Sequence, residues 1–138
     1  MEITDIHPLV VHFPIALLSV GYLFDGLSLV LKKRGLETAG WWNLFSGILA
    51  SSFSVLSGFI ADWNYGHFEN PFPVFKSHGS LQIISILLFV VMFALRLKFE
   101  KKLPDTRWAL VLYFMLGGLA IVFLFYGSHL GAVLAGRI

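Results

Sequence analysis

The chain has 138 residues, of which 57% are hydrophobic and only 13% charged, and its formal net charge is +2. A soluble domain of this size cannot cover so much apolar surface with so few charges, so the composition predicts a membrane protein and gives no reason to expect nucleic acid. With no cysteine in the chain, it cannot itself supply disulfides, thiolate zinc sites, cysteine-bound iron–sulfur clusters or covalently attached c-type haem.

Four apolar stretches follow one another, at 8–31, 41–62, 77–97 and 107–131. Each reaches the ~20 residues a helix needs to cross the hydrocarbon core, and the alternating segments of a membrane β-barrel are absent. The expected fold is an all-α integral membrane protein, with residues 1–138 forming a single four-helix up-down transmembrane bundle. The first stretch begins within "IHPLVVHFPIALL". It has no basic region or small-residue cleavage site ahead of it, so it reads as a retained span rather than a signal peptide. Pro8 suits a first helical turn, whereas Pro14 removes a deeper backbone hydrogen bond and would bend the start of the helix.

Orientation is read from the basic residues. The first connection carries Lys32, Lys33 and Arg34, and the third carries Arg96, Lys98, Lys101, Lys102 and Arg107. Lys76 and Arg137 lie on the other side. Eight cations against two place the first and third loops in the cytoplasm, with both termini outside, in a bacterial inner membrane. Trp41, Trp42 and Trp108 at one boundary and Trp63, Tyr65 and Tyr126 at the other match interfacial belts. Asp25 lies inside the first span, close enough to its cytoplasmic end to reach water, Lys32 or Lys33. A proton relay is the competing reading.

This orientation puts all five histidines, His7, His12, His67, His78 and His129, on the outer side. At 1.5 Å per residue, His12 and His78 both lie about 27–28 Å from the inner helix ends. Small and weakly polar residues line up with these histidines at helical spacing. His12 stands over Ala16, Ser19, Leu23 and Gly26; His78 over Gln82 and Ser85; and His129 over Phe125, Val122 and Gly118. Gly47, Ser51, Ser54 and Gly58 lead to Asp62 in the second stretch. Packed membrane helices place such residues at their contacts, so each stripe is expected to face inward.

Imidazoles from facing helices at one depth are the ligand set of a b-type haem. His12 and His78 fit the axial positions, because the positive end of each helix dipole favours the neutral ring. His7 and His129 are substitutes or a second pair, and His129 could instead meet a propionate beside Arg137. Asp62 could orient a ligand by accepting its second N–H. His67 and Pro71 lie in the aromatic 63–76 loop, where the histidine is read as solvated and the loop as a cover, a quinol entrance, a docking site or an ordinary amphipathic connection.

The leading expectation is a b-type haem electron-transfer protein, a redox subunit exchanging electrons with a quinone or a periplasmic partner. The alternative is a non-redox subunit in which the histidines bind zinc or only hydrogen-bond, anchoring or stabilising a homo- or hetero-oligomer. No phosphate loop, HExxH or nucleophile elbow appears, which argues against a stand-alone hydrolase or transferase.

"HPLVVHFPIALL" at 7–18, "KSHGSLQI" at 76–83 and "GGLAIVFLFYGSHLG" at 117–131 resemble the membrane family known as domain of unknown function 2231. The resemblance implies four helices and marks His7, Pro8, His12, Pro14, His78 and the Gly127/His129 region as family positions. Members joined to redox modules lean the family toward electron transfer. The aromatic loop before His78 has no counterpart in that pattern.

Overall fold

In hydrocarbon a backbone must satisfy its own polar groups, and a continuous helix does so within one segment. The computed structural model describes residues 10–65, 77–134 and 136, with side chains for all of these except 61–65. Among the described residues all regular structure is helical: α1 (His12–Leu31), α2 (Arg34–Tyr65), α3 (His78–Lys98) and α4 (Arg107–Leu134). All four are long and apolar enough to cross a membrane. Helix α2 begins at Arg34, ahead of the apolar run that starts at Trp41, because α1 ends abruptly. Lys32 adopts a left-handed conformation at φ 53°, and the chain re-enters a helix two residues later.

Each helix buries one stripe whose members recur at steps of three and four. The stripes are Pro14, Leu18, Gly21, Asp25 and Ser28 on α1, and Gly40, Leu44, Gly47, Ser51 and Ser54 on α2. On α3 they are Leu81, Ser85, Phe89, Met92 and Arg96, and on α4 Tyr113, Gly117, Ala120, Leu124 and Gly127. This is the seam spacing of closely packed helices. The inward stripe expected on α2 is present from Gly47 to Ser54, and α3 buries Ser85 as expected. On α1 and α4 the expected faces are rotated away. Leu23, Val122 and Phe125 are 55%, 60% and 52% exposed, while Leu18 and Leu124 occupy the interior at 1% and 2%.

Helices α1 and α2 meet with little side chain between them. A Cβ at Gly21 would lie 3.1 Å from the backbone nitrogen of Leu44, and one at Gly47 would lie 2.6 Å from the Leu18 side chain. Helices α3 and α4 are joined by hydrogen bonds of the kind that polar side chains make across packed membrane helices. Ser85 donates to the carbonyl of Ala120 (2.8 Å), and Gln82 Nε2 donates to the carbonyl of Leu124 (3.2 Å) and to Ser128 Oγ (3.0 Å). Across the two pairs, Tyr22 of α1 donates to the carbonyl of Phe114 of α4 (2.9 Å), and Trp41 of α2 stacks on Phe93 of α3 at 4.8 Å. Trp41 is therefore a seam residue, 7% exposed, whereas Trp42 and Trp108, 57% and 84% exposed, lie at the surface. Only 22–28% of each span window is buried, so most of every helix presents apolar side chains outward.

Candidate functional site

Two polar groupings lie in the seam, near opposite ends of the helices. The first centres on Asp25, which is 1% exposed and forms an ion pair with Arg96 (0% exposed) at 2.7 Å. Tyr113 donates its hydroxyl to the other carboxylate oxygen at 2.6 Å. The position does not reach toward water, Lys32 or Lys33, as the sequence suggested. Asp25 lies seven residues beyond Leu18 on the buried stripe, so its side chain points into the bundle. A Cβ at Gly40 would collide with its carboxylate, so only glycine leaves space there.

Arg96 is equally committed. Its Nε and Nη2 donate to the carbonyl of Lys101 at 3.0 and 2.9 Å, and Nη2 also donates to the carbonyl of Glu37 at 3.0 Å. The carbonyl of Arg96 accepts the N–H of Lys101 at 2.7 Å. One arginine thus closes the α3–α4 turn from both sides, holding Glu100 and Lys101 in left-handed conformations at φ 55° and 68°. Glu37 completes the tie by accepting the N–H of Leu103 at 2.6 Å. The charges are paired and every guanidinium nitrogen is satisfied, which is the condition for an ion pair to be tolerated away from water. The arrangement fastens all four helices and the α3–α4 turn.

The second grouping is His78, at the start of α3 behind the Ser77 cap. The ring is half-buried against α4: a Cβ at Gly131 would lie 2.8 Å from ring atoms Cε1 and Nδ1. Nδ1 lies 2.5 Å from the carbonyl of Gly127. A carbonyl can only accept, so Nδ1 carries the proton, and in the neutral ring Nε2 holds a free lone pair. Histidines that bind metals are commonly oriented by this kind of bond.

The other expected ligands are placed differently. His12 and His129 are both exposed, off the buried stripes of α1 and α4. His7, His67 and the side chain of Asp62 lie outside the described residues. Among the described residues, no three or more histidine or carboxylate side chains gather as a metal-binding group.

The family model described as Predicted membrane protein (DUF2231) matches residues 4–138. The chain belongs to that family. The match takes in all four helices, the Asp25–Arg96–Tyr113 cluster and the His78 seat. No curated protein and no solved structure matches the chain.

Proposed function

We propose that this DUF2231 protein is a b-type haem-binding subunit of the bacterial inner membrane that transfers electrons near its outer face. The observation that carries this reading is the seat of His78. Its Nδ1 is held by the Gly127 carbonyl, and Nε2 is left as the one ring nitrogen able to bind iron. His78 fits an axial position. Gly127 and Gly131 do not supply room for a macrocycle, since Leu81 with Gln82 and the His78 ring itself fill them. His78 would hold a haem iron only through Nε2. A second ligand would come from His12, which would have to turn inward from its exposed position on α1, or else from His7 or His129. Bound haem would supply one-electron chemistry, for which the chain provides a ligand of fixed orientation.

The topology proposed with it is an up-down traverse with both termini outside. Seam contacts run in opposite directions along α1 and α2, from Ser54 with Val10 to Gly40 with Asp25, which supports an antiparallel pair. Arg96 is neutralised inside the bundle and drops out of the charge comparison, yet seven cations against two still favour cytoplasmic first and third loops.

An absorbance spectrum of the purified, reduced protein tests the reading. Haem gives a Soret band with sharp α and β bands; His78→Ala and His12→Ala should each abolish them, and His67→Ala should leave them unchanged. Unaltered haem in both ligand variants would remove the assignment. A second reading is favoured by the outward placement of His12 and His129: a non-redox subunit in which the His78–Gly127 bond joins α3 to α4. A colourless preparation, with or without stoichiometric zinc, selects it.

A further inference from the structure

At the helix ends nearest the ion pair, Ser28, Leu29, Lys32, Lys33, Arg34, Glu37, Leu103 and Pro104 enclose a cleft of about 290 Å³. Lys32, Lys33 and Arg34 are exposed, and among the described residues none of them is paired with a carboxylate. Glu37, the acid in the lining, has one carboxylate oxygen already engaged by the Leu103 N–H. Leu103 and Pro104 are buried at the base of the cleft, and Leu29, Val30 and Leu31 beside it are 43%, 76% and 52% exposed. The cleft therefore offers three cations where the chain leaves the membrane and an apolar surface that continues toward the hydrocarbon. We propose that it binds an anionic phospholipid, the phosphate held by Lys32, Lys33 and Arg34 and the first acyl carbons lying against Leu29.

A free phosphate would satisfy the cations but leave the apolar side without an occupant, and a zwitterionic lipid would bring its own cation into a basic cleft. The site is fixed by the fold. Arg96 and Glu37 hold the turn that carries Leu103 and Pro104, and the α1–α2 turn presents the three cations.

The test uses the purified full-length protein, delipidated in detergent and offered equal amounts of phosphatidylglycerol and phosphatidylcholine, with bound lipid counted by native mass spectrometry. Each cation near an anionic headgroup strengthens association about fivefold. Phosphatidylglycerol should be retained preferentially, and Lys32→Gln/Lys33→Gln should weaken its retention on the order of thirtyfold. Lys98→Gln/Lys102→Gln removes equal charge from exposed positions outside the cleft and should leave retention unchanged. Equal weakening by both pairs would assign the effect to diffuse charge and overturn the proposal. It would also fall if the unsubstituted protein shows no lipid preference, or if millimolar inorganic phosphate displaces the lipid while leaving phosphatidylcholine bound. None of these readouts depends on haem.

Discussion

Asp25 and Arg96 carry opposite charges in a seam where both are almost wholly excluded from solvent, so removing either leaves the other's charge without a counter-ion. Breaking a buried pair from one side typically costs about 3–5 kcal/mol. Asp25→Ala should therefore destabilise the protein by that amount, whereas Tyr113→Phe, which deletes one hydrogen bond to a charged group, should cost about 1.5–3 kcal/mol. Denaturant unfolding in detergent measures both. A double-mutant cycle with Arg96→Met should show strong coupling, the double variant losing less than the sum of the singles. Strict additivity would mean that the pair contributes no joint stability. The cluster was only half legible in the sequence. Asp25 stands out as an acid inside an apolar span, but its nearness to the span end points to water or lysine partners, and Arg96 falls among the cations that flank a loop. The available signal was register: Asp25 follows Leu18 by seven residues, and Arg96 follows Phe89 by seven, placing both on seams.

At the scale of elements, four helices were readable because sustained apolar composition sets their number and approximate extent. Their facing was readable only in part. On α2 the small residues coincide with the seam, since α1 approaches at backbone distance, and on α3 Ser85 bonds across to α4. On α1 and α4 small residues occur on two faces, and in a membrane protein apolar side chains mark the outside as readily as the inside. That ambiguity misplaced the stripes below His12 and His129. Glycines separate the two roles. Gly40→Ala and Gly47→Ala should each cost about 1–3 kcal/mol through overpacking against Asp25 and Leu18. Gly35 lies in α2 with nothing within 4 Å of an added Cβ, so Gly35→Ala should be neutral or stabilise the helix by up to about 1 kcal/mol. Comparable losses at all three positions would show that the seam does not lie where α1 and α2 touch.

For the whole molecule, the outward surface is apolar along all four helices and the cations gather at the turns nearest the ion pair. Phe13, Val30 and Met115 are 68%, 76% and 69% exposed, an arrangement stable only against lipid or other membrane helices. Its sidedness rests on charge asymmetry, and charge asymmetry predicts which turns face the cytoplasm. The chain contains no cysteine, so a single introduced thiol reports its own location without background. Under the proposed orientation, Ile138→Cys should react with a membrane-impermeant maleimide in intact cells whose outer barrier is opened. Lys102→Cys should react only after the inner membrane is permeabilised. The opposite pattern would invert the protein, bringing His78 to the cytoplasmic face and the basic cleft to the outer leaflet. It would then exclude exchange with a periplasmic carrier at the His78 end, even if His78 still bound haem. Labelling of both thiols in intact cells would leave the two turns on one side with the termini and would break the up-down traverse itself.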